Sequence, residues 1–446
     1  MGGKGLYTMM IHYRYGVASV KMFAVWAHVV SQKTGKTTCL PKMQVPTLGY
    51  RTDQKMKRTY KFRIYPTKDQ EAILNRWIET CRVLYNDCIT ERRDAWKQCR
   101  KSISCYDQAN QLPEIKKFDD GLRSVHSQVI QDVLRRVDKA YQNFYRRVRN
   151  GDRKAGFPRY KGKNRYDSFT YPQSGFEIRG DKLTLSKIGD IKIKQHRAIE
   201  ENVKTCTIKR DVDQWYACFS VELPDAPMKE RIESAIGVDL GLTSIITTNT
   251  GEKVDPPTYL RKSGKKLSRE QRRLSRKREG SSNREKQKRI VRRVHRKIRN
   301  QRTDFNHKLS RDLVNNNDLI VFEDLSIKNM LQNHHLAKSI FDAGWHQLQR
   351  FTAYKAEEAG KYVIFADPNG TSIECSVCGY RVEKTLATRV HRCPECGLIE
   401  DRDVNAAKNI LKRGCECLPQ ELRETTPVEM FVGTSMKQET LCVSEG

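Results

Sequence analysis

Apolar and polar residues alternate strictly over a short stretch near the start of the regular part of the chain. The alternation predicts a strand with one buried face, formed by Tyr60, Phe62 and Ile64. Pro66 ends this strand, and Thr67 with Gln70 three residues later matches the capping box of a helix. An apolar stripe at helical spacing follows, made of Ile73, Leu74, Trp77, Cys81, Leu84 and Cys88.

A second amphipathic helix has the clearest period of the chain. Its apolar face is formed by Val129, Val133, Val137, Tyr141, Phe144 and Val148, and its opposite face carries Arg135, Arg136, Lys139, Arg146, Arg147 and Arg149. Either nucleic-acid contact or a solvated face on a packed helix accounts for these cations. Residues 67–150 are therefore predicted to form a small helical module.

From Gly156 the pattern becomes β-rich. The runs 203–209 and 215–223 predict a hairpin, the second with strict period two. Between Gly156 and this hairpin, aromatic residues lie among lysines and arginines, as expected where bases stack and phosphates pair, although edge-strand aromatics are often core residues. These aromatics are Tyr160, Tyr166, Phe169 and Tyr171.

Two later strands carry carboxylates in apolar surroundings. Asp239 lies inside the run 236–242, whose antiparallel partner is predicted at 244–248. An unpaired buried carboxylate costs roughly several kcal/mol or becomes neutral, so a bound cation is the natural reason for this residue. The second run, 319–325, contains both Glu323 and Asp324. Because strand side chains alternate in direction, only one of them can join Asp239; we favour Glu323, with Asp324 as the alternative.

The third candidate carboxylate is Asp403. It opens a helix whose apolar positions are Ala406, Ala407, Ile410 and Leu411, and Asp401 competes with it for the same role. Asn405, two residues further on, is a candidate for positioning. A helix at 344–360, closed by Gly360, and a strand at 362–366 precede this region.

Two Cys-x-x-Cys pairs lie directly before Asp403. Each pair is followed by a glycine, and this spacing predicts a zinc ribbon with a short strand pair in 379–392 and the ligands Cys375, Cys378, Cys393 and Cys396. Four sulfur ligands leave no position for a reactive water, so the zinc is expected to be structural. A disulfide pair and a redox centre are the alternatives. The other ten cysteines are scattered, which indicates a reducing compartment.

The charge of the chain indicates that this α/β protein binds a polyanion. The chain carries 84 lysines and arginines against 53 acidic residues, a net charge of +31. The segment 261–302 alone holds 20 cations and three glutamates. Its latter part is predicted to be a helix with basic faces around one apolar face of Ile290, Val294, Ile298, Phe305, Leu309 and Leu313.

The two ends of the chain do not share these patterns. Residues 1–55 form a non-conforming extension, which we expect to be dispensable and to arise from an upstream start codon; a short apolar patch at 22–30 lacks the features of a signal peptide. Residues 413–446 are expected to be a disordered tail. No apolar run approaches the roughly 20 residues of a membrane span.

The order of carboxylates, strand Asp239, strand Glu323 and helix Asp403, resembles the ribonuclease H-like core of RuvC-type nucleases. Three converging carboxylates can hold two Mg²⁺ or Mn²⁺ ions roughly 3.5–4 Å apart, one activating water and one stabilising the leaving 3′ oxygen. No nucleophilic side chain is then required.

Longer motifs resemble the TnpB family, also called OrfB-type, of transposon-encoded proteins. They are KFRIYPT at 61–67, GFPRYKGK at 156–163, IGVDLGLTSI at 236–245, IVFEDL at 320–325, TSIECSVCG at 371–379 and CPECGLIEDRDVNAAKNIL at 393–411. The resemblance implies an RNA-guided DNA endonuclease that binds a guide RNA from the transposon end, reads a short target-adjacent motif and cleaves double-stranded DNA. It implies catalytic roles for Asp239, Glu323 and Asp403 and zinc on the four cysteines.

The resemblance also implies a division of the chain. The expected fold is α/β, with an RNase H-like (RuvC) core, an inserted zinc ribbon, a β-barrel wedge domain and a helical recognition lobe. Its parts are the wedge at 56–66 and 151–230, the recognition lobe at 67–150, the nuclease core at 231–370 and 399–412, and the ribbon at 371–398. A cytoplasmic, nucleoid-associated monomer is expected.

Three rival functions remain. A protein-only transposase or recombinase is disfavoured because no His-x-His pair with a nearby tyrosine is found. A nuclease-inactive DNA-binding repressor would not need all three carboxylates. A zinc-ribbon RNA-binding protein with purely structural acids is the third.

Overall fold

A computed structural model describes residues 56–163, 165–325, 330, 332, 339–340, 343–385 and 388–425. The predicted extension 1–55 and residues 426–446 of the predicted tail lie outside these residues. The described part of the tail is not disordered, because residues 413–416 and 420–425 are helical and Cys415 and Leu418 are buried in the core. Among the described helices, none combines the length and the hydrophobicity that a membrane span requires.

A seven-stranded antiparallel sheet forms most of the first half of the described chain. Its strands are β1 (Lys57–Tyr65), β2 (Ser168–Tyr171), β3 (Phe176–Arg179), β4 (Lys182–Leu185), β5 (Gly189–Lys194), β6 (Val203–Asp211) and β7 (Gln214–Glu222). The strand order is β2-β6-β7-β1-β5-β4-β3, so β2 and β3 are edges that do not pair with each other. The sheet is open, and the barrel expected for this region does not close through backbone pairing of the described strands.

Four helices follow β1 and pack on this sheet. They are α1 (Lys68–Cys99), α2 (Cys105–Phe118), α3 (Asp120–Ser124) and α4 (Ser127–Arg149). The capping box is confirmed, because the Gln70 amide donates to the Thr67 hydroxyl and the Thr67 amide donates to the Gln70 side chain. Helices and sheet share one hydrophobic core in which Trp77, Phe169 and Tyr171 are in ring contact.

The burial of individual side chains shows which aromatic and basic residues of this half belong to the core and which are free to contact nucleic acid. Tyr166, Phe169 and Tyr171 are buried, so these aromatics are core residues, whereas Tyr160 is exposed. Arg136, predicted on the basic face of α4, instead donates to the Ser168 carbonyl and the Thr170 hydroxyl and pairs with Asp132 at 2.7 Å. The remaining predicted cations on this face of α4 are exposed or half-buried.

A second, five-stranded sheet forms the other half. Its strands are β8 (Ala235–Asp239), β9 (Ile246–Thr248), β10 (Lys253–Val254), β11 (Leu319–Glu323) and β12 (Tyr362–Ala366), in the order β10-β9-β8-β11-β12. The strands β8, β11 and β12 are parallel, and β9 returns antiparallel to β8 as predicted. Parallel strands bring their carboxyl ends to one edge, and this edge carries the candidate site.

The helices of this half are α5 (Tyr259–Ser275), α6 (Ser282–Asn316), α7 (Trp345–Glu358), α8 (Arg402–Glu416) and α9 (Gln420–Thr425). The basic segment forms a helical hairpin, α5 and α6, around Leu267, Val291, Val294 and Ile298. Ile290 was predicted on the apolar face of α6 but is 39% exposed, and Val291 is buried in its place. The helical period places Val291, three residues before Val294, on the same face.

Candidate functional site

The first two candidate carboxylates lie at the ends of neighbouring parallel strands. In the β8–β11 register Val238 is opposite Phe322, so the next residues, Asp239 and Glu323, lie side by side at the carboxyl edge. Residues in register on parallel strands point to the same face, about 4.8 Å apart. The structure therefore brings Asp239 and Glu323 together.

Asp324, the alternative to Glu323, faces away from this edge. Its side chain is exposed, and its backbone amide donates to the Ala366 carbonyl at 2.8 Å. Glu323 is buried, and its position next to Asp239 follows from the period of two along β11.

Helix α8 carries the third carboxylate and approaches the sheet unusually closely. A β-carbon at Gly237 would lie 2.1 Å from the Ala407 carbonyl oxygen, and one at Gly414 would lie 2.4 Å from the Val321 methyl groups. Contacts shorter than about 3 Å are excluded by sterics, so only glycine fits at both positions. These two glycines set the distance between α8 and strands β8 and β11.

Asp403 and Asp401 have different roles at the start of α8. The Asp401 carboxylate caps the helix, accepting hydrogen bonds from the amides of Asp403 at 2.9 Å and Val404 at 3.3 Å, and it pairs with Lys253 at 2.7 Å. Its capping bonds and ion pair hold the pKa of Asp401 below its usual value although burial opposes this. Asp403 lies in the first helical turn and is half-buried, and its charge contributes to raising the pKa of Asp239.

Electrostatics show that the three carboxylates share one environment. Burial raises the pKa of Asp239 well above its usual value, and repulsion by Glu323 and Asp403 raises it further, against a lowering by Arg402. Burial also raises the pKa of Glu323, while the Thr371 hydroxyl and the Arg413 charge lower it. Carboxylates that resist ionisation in this way gain most from a divalent cation.

The contact between Thr371 and Glu323 is short and buried. The Thr371 hydroxyl donates to Glu323 Oε1 at 2.6 Å, and the Gln349 amide donates to the Glu323 carbonyl at 3.0 Å. Asn409 on α8 in turn donates to the Thr371 carbonyl at 2.8 Å. A continuous chain of hydrogen bonds thus runs from the helix of Asp403 to the Glu323 carboxylate.

The four predicted zinc ligands converge. Their sulfur atoms all lie within 4.8 Å of one another, with Cys375 and Cys396 3.6 Å apart and Cys378 and Cys393 3.5 Å apart. A tetrahedral site with Zn–S bonds of about 2.3 Å places sulfurs roughly 3.8 Å apart, whereas a disulfide requires about 2.05 Å. The spacing fits a metal, and none of the four cysteines forms a disulfide.

The strand pair of the ribbon differs from the prediction. Val390–Arg392 (β13) pairs with Ile399–Asp401 (β14) around the second Cys pair, and an isolated bridge joins Glu374 to Arg381 around the first. Each metal knuckle thus forms the turn of its own hairpin, so the strands flank the cysteines instead of filling 379–392. Strand β14 ends at Asp401, where α8 begins.

Side-chain amides on α8 bind the cysteine-rich ribbon to this helix. Asn405 is fully buried; its oxygen accepts from the Ser376 amide at 2.9 Å and its nitrogen donates to the Glu374 carbonyl at 2.7 Å. The Glu374 carboxylate pairs with Arg413 at 2.5 Å and Arg381 at 3.3 Å. Asn405 therefore positions the first metal knuckle and through it the start of α8.

The carboxylates are spaced more widely than the cysteines. Within the described ranges, only the cysteine quartet brings three or more ligand atoms within 4.8 Å of one another. A carboxylate site that shares two ions roughly 3.5–4 Å apart does not require such close packing of its oxygens.

Some cations of the basic segment serve the fold. Arg293 and Arg296 pair with Asp213 at 2.9 and 2.6 Å, and Arg299 pairs with Asp211, both aspartates lying at the turn between β6 and β7. These pairs join α6 to the seven-stranded sheet. Most of the other lysines and arginines of α5 and α6 are exposed.

Sequence reasoning missed the supporting residues Thr371, Asn409, Gly237 and Gly414. The two glycines occur in sequence next to the signals for Asp239 and α8, and an interior glycine in a strand indicates close backbone approach. Nothing in the local pattern marks Thr371, because its partner is 48 residues away.

Three parts of the chain match the models of known protein families. Residues 218–334 match the OrfB_IS605 family, described as "Probable transposase", and residues 345–410 match the Cas12f1-like TNB domain. Residues 56–101 match a domain of the same family described as "Helix-turn-helix domain". In this range the structure has one strand, β1, and one uninterrupted helix, α1.

Two relatives are similar over nearly their whole length. A protein of Streptomyces pristinaespiralis named "Putative RNA-guided DNA endonuclease" is 36% identical over 81% of this chain and 90% of its own. One of Escherichia coli K12, named "Putative RNA-guided DNA endonuclease InsQ", is 31% identical over 85% of this chain and 100% of its own.

A solved structure shares the fold. The protein chain of a complex titled "Cryo-EM structure of the Cas12f1-sgRNA-target DNA complex" superposes with a TM-score of 0.51 at 12% identity, covering 80% of this chain and 98% of that chain.

Proposed function

Because this chain belongs to the OrfB, or TnpB, family, we propose that it is an RNA-guided DNA endonuclease that hydrolyses phosphodiester bonds with divalent metal ions. The observation that carries the proposal is the convergence of Asp239, Glu323 and Asp403 from two parallel strands and a helix start. The five-stranded sheet, with the three parallel strands β8, β11 and β12 on one side and the antiparallel strands β9 and β10 on the other, supports an RNase H-like core.

In the proposed mechanism the three carboxylates would hold Mg²⁺ or Mn²⁺, and the bound ions would supply activation of water and stabilisation of the leaving 3′ oxygen. The charges of Glu323 and Asp403 both repel the carboxylate of Asp239, and a bound cation would offset that repulsion. Thr371 fixes the orientation of the Glu323 carboxylate through the 2.6 Å hydrogen bond. Asp403 lies in the first turn of α8, where the positive end of the helix dipole is located.

Zinc on the four cysteines would have a structural role. Coordination by four thiolates closes the sphere, and Asn405 connects the first knuckle to α8. The metal would thereby fix the start of the helix that carries Asp403, without taking part in the chemical step.

The binding partners follow from the relatives and from charge. The two relatives are named as RNA-guided DNA endonucleases, which suggests a guide RNA and a DNA target for this chain. The exposed cations of α5 and α6 would form a surface that binds phosphates. The helices α1–α4 would act as the recognition lobe and the seven-stranded sheet as the wedge. The protein would act in the cytoplasm on nucleoid DNA.

The experiment uses protein purified with RNA from the transposon end. With Mg²⁺ and this RNA it is expected to cut DNA that matches the guide, and Asp239→Ala is expected to bind the same DNA without cutting. Cutting that persists without RNA would favour a protein-only transposase. Binding without cutting by the wild type, with Mg²⁺ and with Mn²⁺, would favour a repressor.

A further inference from the structure

Three aromatic side chains are exposed around one pocket at the C-terminal end of α1. Trp96, Phe157 and Tyr160 are 42%, 44% and 43% exposed. Phe157 is held at 5.5 Å, nearly perpendicular, against Tyr141, and the Thr90 hydroxyl donates to the Tyr160 hydroxyl at 3.2 Å. Large aromatic rings that are fixed in place yet left in solvent indicate a binding surface.

Cations surround these rings. The aromatic pocket has a volume of about 430 Å³ and is lined by Arg93, Trp96, Lys97, Phe157, Arg159 and Tyr160. The Arg93 guanidinium lies 5.2 Å from the centre of the Tyr160 ring, and Arg100 lies 5.8 Å from that of Trp96. The lining contains no carboxylate; Asp94 pairs with Arg93 at 3.3 Å from outside it.

This combination selects a ligand with a flat apolar face and a negative charge. We propose that the aromatic pocket binds an unpaired nucleobase of single-stranded nucleic acid, with Arg93, Lys97 and Arg159 contacting the adjacent phosphates. Base stacking on aromatic side chains next to a basic groove is the general mode of single-strand binding. A duplex keeps its bases stacked and cannot enter. The inference rests on the proposed function only in that the chain handles nucleic acid.

A second copy of the chain is a less suitable occupant. In a two-fold interface the same patch meets itself, so the cations at the rim would face like charges. An exposed ion pair such as Arg93–Asp94 offsets little of this repulsion.

The test measures binding of labelled oligo-dT and oligo-U to the full-length protein, free of other nucleic acid. Trp96→Ala is expected to weaken binding of one or both by about tenfold, because a stacked base is lost. Trp96→Phe is expected to keep most of the affinity. Phe118→Ala, which removes an 82% exposed ring elsewhere on the helices, is the matched control and is expected to change nothing.

The oligonucleotide affected identifies whether RNA or DNA enters the pocket. Unchanged affinity of Trp96→Ala for both oligonucleotides overturns the proposal, as does a wild-type dimer in light scattering that Trp96→Ala dissociates. Because no cleavage is measured, the outcome is independent of the nuclease assignment: an inactive wild type that loses binding with Trp96→Ala supports the pocket and refutes only the proposed activity.

Discussion

Replacing Thr371 with valine tests whether a buried hydroxyl controls the Glu323 carboxylate. The substitution keeps the size and branching of the side chain and removes the 2.6 Å hydrogen bond to Glu323 Oε1, together with a longer contact of the same hydroxyl at 3.2 Å to the Pro368 carbonyl. A hydrogen bond to a charged group contributes about 1.5–3 kcal/mol, and its loss leaves a buried carboxylate without this donor. If the bond is made in the transition state, the cleavage rate falls by roughly 10- to 150-fold.

The same substitution shifts the pH dependence in a defined direction. The Thr371 hydroxyl favours the ionised form of Glu323 and lowers its pKa, against the effect of burial. Removing the hydroxyl therefore raises this pKa, so the acidic limb of the rate profile moves to higher pH and more Mg²⁺ is required for half-maximal cleavage. Both effects are expected at subsaturating Mg²⁺, where protons and metal compete for the carboxylate.

The assay is cleavage of guide-matched DNA under single-turnover conditions, across pH and Mg²⁺ concentration. Thr371→Ser is expected to restore the wild-type profile. Thr352→Val removes another buried hydroxyl of the same half, one that donates to the Leu348 carbonyl at 3.0 Å, and is the control. Wild-type rate, pH profile and Mg²⁺ requirement in Thr371→Val would refute the positioning role.

Three further predictions concern the framework of the site. Gly237→Ala forces a β-carbon to within 2.1 Å of the Ala407 carbonyl and is expected to destabilise the fold by about 1–3 kcal/mol or more, measured as a lower Tm; an unchanged Tm would contradict the close packing of α8. Cys393→Ser is expected to lower the zinc content and the Tm more than the cleavage rate of the protein that remains folded, and a selective loss of the chemical step would overturn the structural role of the metal. Asp401→Ala removes a helix cap and is expected to lower the free energy of unfolding in urea by about 1 kcal/mol, with cleavage retained. Asp403→Ala is expected to abolish cleavage without changing the stability. The reverse pattern would exchange the roles assigned to the two residues.

The apolar pattern of the sequence predicted the strands that carry the site, because the apolar residues of these strands are the ones that are buried. Strands β8 and β11 are apolar runs that end in a carboxylate, so Asp239 could be recognised from the sequence, and Glu323 could be favoured with Asp324 as the alternative. The exposure of Asp324 in the structure distinguishes the two. The choice between Asp401 and Asp403 required coordinates, since both lie at the start of α8. The Asp401 carboxylate accepts the capping hydrogen bonds, whereas the charge of Asp403 acts on Asp239.

Surface chemistry was less predictable than the strands. The sequence pattern around a basic or aromatic residue is the same whether its side chain is exposed to solvent or contacts another helix or strand. Arg136 reaches the Ser168 carbonyl and Arg296 reaches Asp213, partners 32 and 83 residues away, so neither is available for phosphates in this structure. Tyr166 and Phe169 are core for the same reason: their neighbours come from distant parts of the chain. Long-range pairing of this kind has no local signal.

The central claim is that Asp239, Glu323 and Asp403 jointly bind a pair of divalent ions. Electron paramagnetic resonance of the guide-RNA complex loaded with Mn²⁺ tests it directly, because two ions roughly 3.5–4 Å apart are spin-coupled. We expect a coupled pair in the wild type and in Asp401→Ala, and we expect it to be lost when any of the three carboxylates is replaced by alanine. Only isolated Mn²⁺ signals in the wild type, or a coupled pair that survives Asp239→Ala, would contradict it.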